Sequence, residues 1–410
     1  MNETMIRCLL WCLTAVSGVV CATEESAGWL VRVSANAPAP DSHAISLMQF
    51  ADHSELVWLP TLDAVWLAAG LQSGGVHYAV PNEALVLPKT PAPEWTLLNT
   101  AADSQDFLAN DGFDSLLTTQ RDCSGALVSV LDSGLDMTHE RLQGVSLESP
   151  FDAITATEGV TDGFGHGTHV AGLIASSDNG QWGGACTNAR LMPIRFLNAY
   201  GGGRIADAVT GIEWALAHDA RIINHSWTVL STNSALLDAL LKADEAGVLQ
   251  VFAAGNLATD QDRVPVYPAG YVEQLNGALS VANWDADTAG LYNTSNYGIR
   301  SVDLAASGTR LLSLAPNNGE SIRTGTSMAA PVVAAKAAPT RDRESCWVRY
   351  QNVCPRENWK IWASALSGFL SGAARLKLSG PIGLYQGTPT PSDTATCARS
   401  TGWVRATWSM

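Results

Sequence analysis

RLMPIRFLNAYGGGRIADAVTGIEWALAHDARIINHSW, running from Arg190 to Trp227, decides the fold. It opens on a short apolar run, RLMPIR, continues with Ala208, Val209, Ile212 and Leu216 at helical spacing, and closes on a second apolar run, RIINHSW. Apolar residues three and four apart mark one face of a helix, and short apolar runs of this length mark buried strands. The pattern extends in both directions. ALVSVL (126–131) lies upstream, and downstream Leu236, Leu237, Leu240 and Leu241 share a helical face before VLQVFAA (248–254). Strands separated by helices of this length predict an α/β fold, a parallel sheet with right-handed crossovers and helices on its faces. Functional residues of such sheets gather at the carboxyl ends of the strands. Asp132 directly follows ALVSVL, and Asn256 follows VLQVFAAG.

Three distant segments carry chemistry: LVSVLDSGLD around Asp132, DGFGHGTHVAGLIAS around His166, and RTGTSMAAPVV around Ser327. A serine hydroxyl is a poor nucleophile at neutral pH. It needs an imidazole to take its proton, and the imidazole needs a carboxylate to fix its tautomer and orientation. Asp132, His166 and Ser327 supply these groups. Each has a plainer reading: Asp132 before Ser-Gly can cap a turn, and Ser327 can cap a helix. The second is compatible with nucleophile duty, because a helix start also offers the Ser327 N–H to a developing oxyanion. His169, three residues after His166, suggests a metal pair, but no HExxH or third ligand accompanies it, so no metal ligand is assigned. Gly165 and Gly167 are read as leaving room around His166. No G-x-S-x-G elbow surrounds Ser327, which argues against an α/β-hydrolase esterase.

GACTNARLMPIRFLNAYGGG (184–203), ARIINHSW (220–227), AAGN (253–256), VYPAGY (266–271), SNYGIRSVDLAASG (295–308) and GTSMAAP (325–331) add to the three segments. In this order, from roughly Ala126 to Ala335, the chain resembles the subtilisin-like serine proteases. The resemblance implies a secreted serine endopeptidase working through an acyl-enzyme, with Asp132, His166 as base, Ser327 as nucleophile and Asn256 as second oxyanion donor. His169 is then structural. Polypeptide substrate is expected to lie extended near Ser226, Trp227 and Thr228 on one side and Ala254 and Gly255 on the other, by β-augmentation. Thr228 stands where relatives carry glycine, which implies a restricted pocket that disfavours large aromatic side chains. No cofactor is required. The family commonly holds structural calcium on loop oxygens, and SDNGQWGG (177–184), with Asp178, Asn179 and Gln181, could hold such an ion or be a polar turn.

Residues 1–22 read as a signal peptide, with Arg7 ending the n-region, an apolar stretch from Cys8 to Cys21 and cleavage after Ala22. A secreted or periplasmic location follows, with no membrane association after removal. Residues 23–92 contain GWLVRVS, LPTLDAVWLAAGL and GGVHYAVPNEALVL, which resemble the inhibitory propeptide of the same family and are expected to form a small α+β domain that inhibits its own enzyme. The polar stretch after Leu87 reads as a linker, and the peptidase domain is placed at 93–338. Cys123, Cys186, Cys346, Cys354 and Cys397 remain after the signal segment, an odd number whose spacing fits no zinc pattern. A net charge of -15 argues against a nucleic-acid partner.

The end of the chain departs from this pattern. Through Ala335 there are 14 basic and 35 acidic residues; from Lys336 on there are 10 and 4, with 5 of the 14 tryptophans. Lys336 interrupts an apolar helix and Pro339 is expected to end it. The stretch 339–410 is therefore read as an atypical basic tail, either a true appendage or the product of a shifted frame. An alternative function follows from it, a secreted, catalytically impaired protein that binds peptides in the same groove.

Overall fold

Alternating apolar residues build a small N-terminal unit. Strands β1 (Trp29–Val33), β2 (Ile45–Gln49), β3 (Glu55–Leu59) and β4 (Val76–Pro81), with helix α1 (Ala64–Ser73) between the last two, form an antiparallel sheet in the order β2-β3-β1-β4. Val31, Val33, Val57, Leu59 and Val76 pack together on one side of it. Asp63 starts α1 by accepting from Trp66 N at 2.7 Å, and Gly74, with φ 70°, ends it in the left-handed region that favours glycine. A short strand, β5 (Ala84–Val86), leaves this unit and pairs elsewhere.

The computed structural model describes residues 28–35, 37, 43–87, 126–177, 182–186 and 188–341. The expected signal peptide, the linker after Leu87, Asp178, Asn179 and Gln181 of the calcium loop, and the tail from residue 342 lie outside them. So do Cys123, Cys346, Cys354 and Cys397; Cys186 is disulfide-bonded.

The larger unit contains β6 (Leu127–Asp132), β7 (Ser146–Leu147), β8 (Phe151–Asp152), β9 (Thr157–Glu158), α2 (His166–Ile174), β10 (Arg190–Arg195), β11 (Gly202–Arg204) and α3 (Ile205–Ala217). It continues with β12 (Ile222–His225), α4 (Ser234–Glu245), β13 (Leu249–Ala253), β14 (Ala278–Asp285), β15 (Gly290–Leu291), β16 (Leu304–Ser307), β17 (Leu311–Ala315), β18 (Gly319–Arg323) and α5 (Thr326–Arg341). Its central sheet runs β15-β14-β13-β12-β6-β10-β8-β9, with β16 beside β14 and β7 beside β10. All pairings are parallel except β14 with β15 and β8 with β9. The α/β architecture and the four strand runs named from sequence are thus as expected.

Successive strand residues face opposite sides, so β6 feeds two cores. Val128 and Val130 pack with α2 and α5, including Val170, Ile174, Val332 and Ala334. Leu127 and Leu131 pack with α3 and α4, including Val209, Ile212, Leu236 and Leu240. The helices that carry His166 and Ser327 therefore share one face of the sheet. One expectation needs correction. Helix α5 does not stop at Pro339 but continues to Arg341, with Ala337 and Ala338 buried in the core. Pro339 lacks the N–H that would return to the Ala335 carbonyl, and the Cys186 sulfur lies 3.2 Å from that oxygen.

Candidate active site

Asp132 is the last residue of β6, fully buried between β10 and β12. His166 opens α2 and is 6% exposed. Its Nδ1 lies 2.8 Å and 2.9 Å from the two Asp132 carboxylate oxygens. A carboxylate can only accept, so Nδ1 carries the proton and Nε2 is left as an acceptor.

The start of α2 is held by a residue the sequence reading passed over. Gly165 precedes the helix without a side-chain cap. The buried Asp162 carboxylate instead accepts from Phe164 N at 3.0 Å, Gly165 N at 2.7 Å and Thr168 N at 2.8 Å, and from the hydroxyls of Thr168 at 2.7 Å and Ser133 at 2.9 Å. Ser133 also accepts from Gly167 N at 2.8 Å, tying the end of β6 to the helix start. The two glycines have backbone reasons, more specific than the room around His166 expected of them. Gly165 has φ 83°, and a Cβ on Gly167 would sit 2.2 Å from the Gly134 carbonyl oxygen.

Ser327 is the second residue of α5. Asn224 of β12 pairs with Val130 of β6, a register that sets Ser226 level with Asp132 at the same sheet edge. Ser226 and Ser327 exchange hydrogen bonds: Ser226 Oγ donates to the Ser327 carbonyl at 2.9 Å, and Ser327 Oγ donates to the Ser226 carbonyl at 3.0 Å. The Ser327 carbonyl is free for this because Pro331, four residues on, has no N–H to return to it. Asp132 and His166 are thus joined directly. Among the described residues no hydrogen bond joins Ser327 to His166, because the hydroxyl is turned onto Ser226.

Asn256 lies just beyond β13. Its Oδ1 accepts from Thr326 N at 2.9 Å and from Thr326 Oγ1 at 3.2 Å. An N–H can only donate, so the oxygen must face Thr326, and the amide Nδ2 points away with no acceptor among the described residues. The Ser327 N–H is likewise unpaired among the described residues, as expected in the first turn of a helix. Two donors without an acceptor among the described residues, Asn256 Nδ2 and the Ser327 N–H, thus lie around the start of α5.

Comparison with known proteins decides the family. Residues 123–353 match the subtilase family. The chain is a subtilase. The match runs past Lys336, where the composition changes. The chain is 33% identical over 264 residues to the minor extracellular protease Epr of Bacillus subtilis, covering 60% of this chain and 39% of that one. It is 32% identical over 244 residues to subtilisin Savinase of Lederbergia lenta, covering 59% and 85%. A cold-adapted subtilisin-like serine proteinase of known structure is 27% identical, with a TM-score of 0.48 over 58% of this chain and 81% of the other. The chain thus spans well under half of Epr but most of Savinase.

The expected groove residues of this subtilase divide by role. Trp227 is core: its ring sits 4.9 Å from Phe196 and 5.7 Å from His225, so only its backbone can meet a ligand. Thr228 is half-buried. Ala254 and Gly255 form a braced wall, since the Ala254 carbonyl accepts from Asn296 Nδ2 at 2.9 Å and the Gly255 N–H donates to Thr326 Oγ1 at 3.1 Å. The edge that does hold an extended chain is β11. Gly202 pairs with Val86 and Arg204 with Ala84, and Leu87 N donates to the Gly201 carbonyl at 2.8 Å. Leu85 and Leu87 turn inward at 5% and 6% exposure while Val86 is 69% exposed. Gly201 to Gly203 was the available signal, because glycines leave a backbone open to approach.

The N-terminal unit also docks on α3 and α4. Asn82 Oδ1 accepts from Ala206 N at 2.9 Å and the Glu83 carbonyl from Ile205 N at 3.1 Å, satisfying a helix start that Arg204 leaves uncapped. Arg32 Nη1 donates to Asp238 at 3.0 Å and Tyr78 donates to the same carboxylate oxygen. Burial and the Asp238 charge push the Tyr78 hydroxyl far above its ordinary range.

Proposed function

We propose that this subtilase is a serine endopeptidase whose N-terminal unit is its own inhibitor. The observation that carries the first half is the Asp132–His166 pair, level with Ser226, which in turn exchanges hydrogen bonds with Ser327. Substrate laid along β11 presents its carbonyl to Ser327. The hydroxyl turns from the Ser226 carbonyl, His166 Nε2 takes its proton, and Ser327 Oγ attacks. Ser327 N–H and Asn256 Nδ2 receive the oxyanion. His166 then gives the proton to the departing amine, leaving an acyl-enzyme that water hydrolyses by the same path.

The inhibitor half rests on residues 84–87, which occupy the β11 edge as an extended peptide would, and on the Asn82, Glu83, Arg32 and Tyr78 contacts that hold them there. Export is part of the proposal. Among the described residues no helix is long and apolar enough to cross a membrane. The impaired, peptide-binding alternative is disfavoured because α5 stays packed through Ala338.

Purified protein and its Ser327→Ala variant, incubated with casein and a serine-directed phosphonate, test this reading. Labelling and casein cleavage by the parent alone are expected. Absence of labelling in the parent would count against catalysis and favour a binding role.

A further inference from the structure

One charged side chain beside His166 has no part in the chemistry above. Arg323 ends β18, four residues before Ser327. A Cβ on Gly165 would lie 3.4 Å from its Nη2, so the guanidinium overhangs the residue that introduces His166. Arg323 is half-buried, yet none of its guanidinium N–H donors has a hydrogen-bond or ion-pair partner among the described residues. The nearby carboxylates are already engaged, Asp132 by His166 and by Ser133 N at 2.7 Å, and Asp162 by five donors. Burial lowers its proton affinity and the charges of Asp132 and Asp162 raise it; a guanidinium stays charged under either influence. A desolvated cation with unused donors is preorganised for a carboxylate brought from outside.

Its placement says where that carboxylate lies. The loop 163–165 has two flanks. Phe164 packs against Gly201, beside the β11 edge that holds residues 84–87, whereas Gly165 packs against Pro316 and Arg323. A substrate whose acyl portion follows β11 leaves the Arg323 flank to the residues after the scissile bond. We propose that Arg323 selects substrates with an acidic side chain on the first residue of the leaving group. This rests on the endopeptidase reading and adds a substrate class to it.

Acetylated, amidated octapeptides that differ only at that residue, Asp, Asn or Lys, test it with the purified full chain after incubation until its casein-cleaving activity has reached a plateau. The expected kcat/KM for Asp exceeds that for Asn by about tenfold at low ionic strength, the scale of one charge-assisted hydrogen bond. Lys is expected to be poorest, and the Asp to Asn ratio to shrink in 1 M salt. Arg323→Met should bring the ratio near one, and Arg323→Lys should retain a preference for Asp. Equal cleavage of Asp and Asn peptides by the parent, or a preference surviving in Arg323→Met, overturns this inference alone. No cleavage of any of the three peptides overturns the endopeptidase reading and this inference with it.

Discussion

Replacing Asp162 by Asn should loosen the residue that holds His166 in place. The carboxylate accepts five hydrogen bonds, three at one oxygen and two at the other. An amide keeps one acceptor oxygen. If that oxygen stays with Ser133, Phe164 and Gly165, the amide N–H groups face the Thr168 N–H and hydroxyl, two donors against donors. A buried N–H without a partner costs about 1–3 kcal/mol, and each surviving bond weakens by roughly 1 kcal/mol when its acceptor loses charge. Because such terms do not simply add, about 3–5 kcal/mol of destabilisation is expected, or a fall in Tm on the order of 10 °C for a domain of this size. Urea unfolding in a Ser327→Ala background, chosen against the self-digestion that the proposed activity implies, measures the stability term. The catalytic term is kcat/KM of the Asp162→Asn enzyme with Ser327 intact. A shift of His166 by about 1 Å would lower it on the order of a hundredfold. A stability loss under about 1 kcal/mol together with kcat/KM within twofold of the parent would falsify the positioning role.

Asn256→Ala removes the open amide donor and should lower kcat roughly a hundred- to a thousandfold with KM little changed, a range set by subtilisin itself; an equal loss in both parameters would contradict the oxyanion role. His225 is buried against Trp227 and Phe252 with neither ring nitrogen hydrogen-bonded among the described residues, and burial lowers its pKa to about 3. The folded protein binds this proton less tightly than the unfolded chain, so stability drains away as pH falls from the ordinary imidazole value toward 3. His225→Met should flatten that acid limb in denaturation curves recorded between pH 7 and 4, and an unchanged slope would refute it. Burial raises Asp207 to about 6, with Arg204 opposing and Asp152 adding to the effect. Its penalty is fully present above pH 6 and absent below the usual carboxylate range. Asp207→Asn should therefore stabilise by about 1–3 kcal/mol at pH 8 and by less than about 1 kcal/mol at pH 4, and a gain of the same size at both would count against it. Asp238→Ala removes the acceptor shared by Arg32 and Tyr78, so the N-terminal unit should release more readily, seen as faster appearance of casein-cleaving activity after purification; an unchanged lag would dissociate the contact from inhibition.

Much of the fold was legible because its signals are local. Periodicity alone placed β10, α3, β12, α4 and β13, since a strand or helix declares its buried face in every second or every third to fourth residue. Asp132 and Asn256 could be put at strand ends for the same reason. What stayed hidden depends on residues distant in sequence meeting in space. Asp162 looked like one more polar residue before a glycine, and its role appears only when Ser133 and Thr168 converge on it. Trp227 was assigned to the groove because of its neighbours, and only the packing of Phe196 and His225 shows that its ring is core. Arg323 carries no motif of its own. The continuation of α5 past Pro339 was obscured by a correct local rule, since proline disfavours helix interiors, here overridden by burial of Ala337 and Ala338.

The proline at 331 has a consequence for how the GTSMAAP segment can be used. By withholding an N–H from the Ser327 carbonyl, it transfers part of the job of holding the serine from its own helix to Ser226, at the end of a strand a hundred residues earlier in the chain. GTSMAAP is therefore not portable. Grafted onto another helix it would bring the hydroxyl without the anchor that aims it, and substitutions at Ser226 should register first as lost rate and only second as lost stability.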